Sequence, residues 1–325
     1  SKDNGSNYVE STSSSYTFNN LTSNAKFYVK VYVKDSNNRE SSVSSTSVKT
    51  KILICSSGTN LASCLKTYSN KGFPTTKIYH HDASLTNGAG DNSYRYAGAS
   101  GEVNNYVCFG SNVTPCPTDN LYRIIGVFDG RVKLIKSISV RKKTWDNSGK
   151  NTWSTSSLNS YLNNEFINTF DAVTKAKIAE TTWKVGGNTW VNIGTQPAKT
   201  AYQNEIVSPV TTNTTDGATE LKAKIGLMYV SDYGFAAPPS AWTTNLYDYK
   251  GEAIKSSNWM YLGADEWTIS RWSEIDSRVF GIPNNGALFH NFTYYEFDVR
   301  PVFSLISSVN YASGSGTATD PILVN

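Results

Sequence analysis

The chain has 325 residues, of which 17% are charged and 38% hydrophobic, with a net charge of +4 and a pI near 8.6. That balance excludes a disordered polyelectrolyte, and the scattered lysines, with one basic run from Arg141 to Lys143 beside Trp145, exclude the broad cationic footprint of a nucleic-acid binder. No apolar segment has the length of a membrane-spanning helix, and the length suits a large domain with a small one.

From the N-terminus, Tyr16 and Phe18 alternate with polar residues ahead of Leu21. Phe27, Val29, Val31 and Val33 then alternate with Tyr28, Lys30, Tyr32 and Lys34. A period of two predicts a strand with one face buried. Asp35 to Asn38 predict a turn, and Ser42 to Val48 a returning strand. The pattern Tyr16-x-Phe18-x-x-Leu21, followed by Tyr28, Val29, Val31, Val33, Asp35 and Ser41, resembles the last third to half of a fibronectin type III domain. The resemblance covers residues 1–50 and implies that family's tyrosine-containing corner and last two strands. A whole sandwich needs about seven strands. Phe18, Leu21, Val29 and Val31 are therefore expected to pack on something further, such as a neighbouring chain or the following domain.

After residue 50 an apolar strand, Lys51 to Cys55, leads into a short helix from Leu61 to Tyr68 that ends at Asn70-Lys71-Gly72. The four cysteines form two local pairs, Cys55 with Cys64 and Cys108 with Cys116. CxxC spacing is absent, which favours two disulfides over a zinc site and places the protein outside the cell. His80 and His81 are adjacent on a predicted strand, so they point to opposite faces and are poorly placed to share an ion. Asn87, Gly88, Gly90, Asp91 and Asn92 supply the short oxygen-bearing side chains of a calcium turn, with Asp91 and Asn92 as the candidate ligands. A hydrogen-bonded turn is the favoured reading, and no other cofactor is indicated.

Residues 119–140 give the cleanest sheet signal, two apolar runs around Asp129-Gly130, with Arg123 read as a solvated edge residue. Between Thr152 and Phe170 the period changes to three and four, through Leu158, Tyr161, Leu162, Glu165, Phe166 and Phe170, behind a capping Ser156 or Ser157. A further helical turn is expected from Val173 to Ala179. A strand is expected from Trp183 to Val191, with Trp183, Val185, Trp190 and Val191 buried, and a helical piece near Ala201 to Val207. Residues 221–323 hold apolar runs broken by Gly, Asn, Asp and Pro, and five of the eight tryptophans lie between Trp190 and Trp272. This stretch reads as the aromatic heart of an irregular, strand-poor domain.

The order Arg123-Ile124-Ile125-Gly126, Lys133-Leu134-Ile135-Lys136, Trp153-x-x-Ser156-x-Leu158-x-x-Tyr161-Leu162-Asn163-x-x-Phe166 and Val299-Arg300-Pro301-Val302-x-x-Leu305 resembles a group of bacterial surface or pilin-like proteins. These are similar in turn to the C-type-lectin-like fold shared with formylglycine-generating enzymes. The resemblance runs over residues 119–323. It implies an α+β fold in which residues 51–325 form an irregular C-type-lectin-like domain behind the partial sandwich of residues 1–50. The Glu-Pro-Asn or Gln-Pro-Asp triplet of calcium-dependent sugar-binding lectins is missing, as is any cysteine beyond Cys116 for formylglycine chemistry, so neither activity carries over. Arg300, set among alternating apolar residues, reads as a structural tie whose acceptor is Asp232, Glu266 or Asp298.

The expected function is non-enzymatic: a secreted bacterial cell-surface adhesion or ligand-binding protein whose partner is a host-surface protein or a glycan. The candidate binding residues are Tyr233, Trp242, Tyr247, Tyr249, Trp259, Trp267 and Trp272, with at least four of these seven rings expected in the core. One alternative is a structural subunit of an exported filament, a pilus or phage tail fibre, whose partners are its neighbouring subunits. A second is a carbohydrate-active enzyme using Asp265, Glu266, Glu274 and Asp276.

Overall fold

Apolar runs on both sides of Asp129-Gly130 produce an antiparallel hairpin, Leu121–Phe128 with Arg131–Lys136. Asp129 (φ 47°) and Gly130 (φ 75°) both adopt the left-handed backbone that a two-residue turn needs to follow the twist of its strands. The structure, a computed structural model, describes residues 1–3, 6–13, 15–18, 21, 25–50, 53–70, 76–209 and 218–325. It divides into two units, residues 1–54 and 55–325.

In the larger unit the hairpin is the centre of a nine-stranded sheet. Val302–Ser304 and then Ile225–Gly226 extend it on one side; Tyr106–Cys108, Ile322–Val324 and Tyr311–Ser313 extend it on the other. A six-stranded sheet runs Phe289–Phe292, Arg278–Ile282, Glu266–Trp272, Glu296–Val299, Arg141–Thr144, with Gly187–Asn188 pairing in parallel to Glu266–Trp272. The fold is thus mixed α+β, with several sheets and short helices. Residues 221–323 are richer in strand than expected: the longest strand, Glu266–Trp272, is buried on both faces and so shows no period of two, and the others are at most five residues long and separated by Gly and Pro turns. The expected Leu61 helix forms over Leu61–Ser69, with the Asn60 side chain accepting the Ser63 N–H; residues 71 and 72 of its proposed end lie outside the described residues. Leu53 to Cys55 make a bend rather than the expected strand, and residues 51 and 52 are also outside the described set. Both disulfides form, Cys55–Cys64 and Cys108–Cys116, at Cα separations of 5.8 and 5.9 Å.

From Trp153 to Thr169 the backbone is helical in short segments, with Ser156 capping one of them and Leu158, Leu162, Phe166 and Ile167 buried. The strand expected from Trp183 to Val191 breaks after Lys184 and resumes only at Gly187–Asn188. Thr189 caps a helical turn, Trp190–Ile193, which leaves Val191 65% exposed instead of buried. In the smaller unit Lys26–Val31 pairs with Ser44–Lys49 in a two-stranded sheet. Within this unit Val31 and Val33 are exposed.

Arg300 stands where the chain leaves one large sheet for the other, between Glu296–Val299 and Val302–Ser304. Its Nε donates to Glu266 Oε1 (2.6 Å) and its Nη2 to Glu266 Oε2 (2.7 Å) and to the Met260 carbonyl (2.6 Å). Both side chains are buried, so of the three acceptors considered for Arg300 it takes Glu266. Asp232 serves another cation, accepting from Lys133 Nζ at 2.5 Å and from the Tyr229 N–H at 3.0 Å. Arg123 is likewise internal rather than an edge residue. It lies between the Tyr106 and Trp259 rings and donates to Asn105 Oδ1 (2.6 Å), Ser100 Oγ (2.7 Å) and the Val103 carbonyl (3.0 Å).

Breaking a buried pair strands one charge, whereas removing both does not. Glu266→Gln is therefore expected to lose about 3 kcal/mol or more in urea unfolding, while Glu266→Leu with Arg300→Met recovers most of that loss. A single-variant loss below about 1 kcal/mol would mean that the pair is solvated.

Candidate functional site

The strongest exposed feature of the larger unit is an aromatic ridge on the end strand Phe289–Phe292 of the six-stranded sheet. The turn before it, Pro283 to Gly286, needs Gly286 at φ 82°, and His290 then pairs in register with Phe280. Phe289 is 40% exposed. Trp190 meets it edge-on at 5.8 Å between centroids, and reaches His290 at 5.7 Å and Tyr247 at 5.7 Å. Backbone hydrogen bonds fix the loops that carry these rings: Leu246 N to Gln196 O, Tyr247 N to Gly194 O and Leu288 N to Leu246 O. The Lys250 ammonium lies 3.5 Å from the Tyr247 ring centroid. Tyr294 and Tyr295, both exposed, continue the ridge beside Phe292.

At its inner end Trp272 packs on His290, with centroids 3.5 Å apart, and donates from Nε1 to Glu274. The Arg278 guanidinium lies 5.5 Å from the Trp272 ring and 4.2 Å from that of Phe292. Its Nη1 is 3.1 Å from His290 Nδ1. A guanidinium only donates, so Nδ1 accepts and His290 is neutral, with its proton on Nε2. Burial, reinforced by the Arg278 charge, lowers the His290 pKa to about 4. The ridge thus offers ring faces and edges, an imidazole N–H, a lysine and a carboxylate. Such a surface stacks on the apolar face of a sugar or anchors a protein side chain.

Two of the seven predicted aromatics belong to it, Tyr247 and Trp272. The other five lie in the core rather than on a surface, in line with the expectation that at least four of the seven rings would be buried. Tyr233, Trp242, Tyr249, Trp259 and Trp267 are all at most 2% exposed. Each satisfies its polar atom on a backbone carbonyl, respectively Gly286, Ala237, Gly234, Tyr96 and Lys143, which is what allows the ring to be buried. Sequence reasoning missed Trp190, Phe289, His290, Tyr294 and Tyr295. The available signal was the density of aromatics after an Asn-Gly turn.

The calcium candidates are used otherwise. Asp91 bonds Arg95 Nη2 at 2.5 Å and takes both the Ser93 N–H and hydroxyl; against the opposing effect of burial, these partners hold its carboxyl down at about 2. Asn92 occupies a left-handed turn position, φ 57°. Among the described residues no three His, Cys, Asp or Glu side chains converge to hold a metal. Of the four carboxylates weighed for glycosidase chemistry, Glu266 pairs with Arg300, Asp276 with Lys150 and Glu274 with the Trp272 indole, while Asp265 accepts the Asn284 N–H.

Residues 129–307, more than half of the chain, match the model of a family described as a domain of unknown function, DUF6273, and the chain belongs to that family. A search of curated proteins and one of solved structures each returned no match.

The folded pKa of His290 lies below the value near 6.5 of an unfolded chain, so between the two the unfolded chain binds more protons. The stability His290 contributes is complete above about pH 6.5 and is lost as pH falls toward 4. An NMR titration is expected to give an imidazole midpoint near 4. A midpoint near the free value would mean that the ring is not buried beside Arg278 in solution.

Proposed function

We propose that this chain is a non-enzymatic, extracellular ligand-binding or adhesion protein of a bacterial surface, whose larger unit is a lectin-like module and whose smaller unit is a fibronectin-like spacer. The observation that carries the reading is the ridge of Trp190, Tyr247, Phe289, Tyr294 and Tyr295, in which four of the five rings are exposed and each touches another aromatic ring. Its loops are pinned by backbone hydrogen bonds, so little ordering entropy is lost when a ligand docks. Two disulfides suit an oxidising compartment. The ligand is a glycan or a protein of a host surface, recognised by ring stacking with polar groups at the rim.

A second reading, a subunit of an exported filament, draws on the smaller unit. Its two-stranded sheet leaves Val31 and Val48 exposed on one face and Tyr28 on the other, apolar side chains that a neighbouring subunit would cover.

The test is a glycan and host-surface binding screen of the full chain beside its mass in solution across a concentration series. Saturable binding by a monomer is expected. Tyr247→Ala with Phe289→Ala should weaken it by about tenfold or more, as for central aromatic anchors, without shifting the melting temperature. No binding, together with assembly that grows with concentration, would replace this reading with the filament.

A further inference from the structure

Independently of the ridge, the larger unit has a cleft of about 610 Å³ beside the central hairpin, with Arg95, Lys133 and Asp232 among the residues that line it. The volume falls in the range of small-molecule sites. Arg95 is 2% exposed and lies among the rings of Phe128 (4.7 Å), Tyr202 (5.0 Å) and Phe235 (4.9 Å). Its Nε donates to Ser93 Oγ at 2.8 Å and its Nη2 to Asp91. Its Nη1 is 3.8 Å from Asp232 Oδ1, too far for a hydrogen bond. Lys133, 8% exposed, donates to Asp232 Oδ2 and has the Tyr229 ring 4.7 Å from its ammonium.

A guanidinium and an ammonium have more donors than these partners use. Among the described residues, Arg95 Nη1 and the remaining Lys133 N–H bonds have no acceptor, although both groups line the cleft. These donors open onto the cleft, where an acceptor on a ligand can take them. The acceptor's charge is limited as well. Four acidic side chains, Asp91, Asp129, Glu180 and Asp232, and four basic ones, Arg95, Arg131, Lys133 and Lys184, line the cleft, so a phosphate dianion would bring about two uncompensated charges, whereas a carboxylate brings a single charge that Arg95 and Lys133 can share. The walls define the rest of the ligand. The tyrosine rings of residues 202 and 229 present apolar surface, while Thr181, Thr182 and Ser304 add hydroxyls that both donate and accept. That combination matches a hydroxylated ring rather than a hydrocarbon tail.

We propose that this cleft binds an acidic monosaccharide of the hexuronate class, with its carboxylate on Arg95 Nη1 and Lys133 Nζ and its ring against Tyr202 and Tyr229. The experiment titrates the full chain with D-glucuronate, D-glucose and acetate, followed by calorimetry. D-Glucuronate is expected to bind saturably and about tenfold more tightly than D-glucose, the size of effect that charge-assisted hydrogen bonds give. Acetate, which has the carboxylate without the ring, should be weaker than D-glucuronate. Lys133→Met tests the cation directly. Because that change leaves Asp232 unpaired and risks unfolding, Thr182→Trp is the companion variant: it fills the cleft mouth from an exposed strand position and leaves the buried pairs intact. It should weaken D-glucuronate about tenfold or more at an unchanged melting temperature, while Tyr247→Ala should leave that binding intact. Absence of D-glucuronate binding, equal binding of D-glucose, equal binding of acetate, or binding indifferent to Thr182→Trp would each overturn the proposal.

Discussion

The pairing of Arg300 with Glu266 fixes the relation of the two large sheets, and much of the larger unit depends on it. Arg300 lies in the step between a strand of one sheet and a strand of the other, and Glu266 opens the strand that carries Trp267 and Trp272. Both partners are withdrawn from water, and Arg300 also takes the Met260 carbonyl. Burial raises the Glu266 carboxyl pKa while the guanidinium opposes that shift. A pair of this kind adds little net stability over an apolar equivalent. Its value is geometric, because a bidentate contact has few alternative partners and so specifies one crossing of the chain.

Other buried charges follow the same rule. Arg123 is held between two rings with oxygens around its edge, and Arg95 and Lys133 are boxed by aromatic rings and matched to Asp91 and Asp232. Glu205 accepts the N–H groups of Val230 and Ser231 and the Ser270 hydroxyl; burial still pushes its carboxyl up against these stabilising bonds. Apart from the Arg95–Asp91 pair, four residues apart, these ties connect segments distant in sequence. A domain built from short strands and single-turn helices has little local cooperativity, and polar ties of long sequence separation supply what the elements lack.

The legible parts of the fold were those decided locally. The hairpin at Asp129-Gly130, the Asn60-capped helix and the two short disulfide loops each depend on residues a few positions apart. Partners far along the chain were not legible. Arg123 looked like an edge residue because Asn105, Ser100 and Trp259 are nowhere near it in sequence. The tryptophans show the same limit. Whether an indole is buried or displayed turns on whether a carbonyl waits for its N–H, as Lys143 does for Trp267, and composition does not contain that information. Trp190 was misplaced because Thr189 caps a helical turn where a strand was expected to continue.

These observations bear on why a ligand surface would sit on the Phe289–Phe292 strand. The same sheet is pinned at Glu266 by a buried ion pair, and its middle strands carry Trp267, Ile269, Phe280 and Ile282, all buried. The ridge is therefore mounted on the end strand of a sheet whose middle strands are buried, yet its rings come from three separated segments, at residues 190, 247 and 289–295. Changing one loop alters one ring while the sheet below holds the others in place. Under the proposed reading, a surface of that construction could change its ligand without refolding the domain.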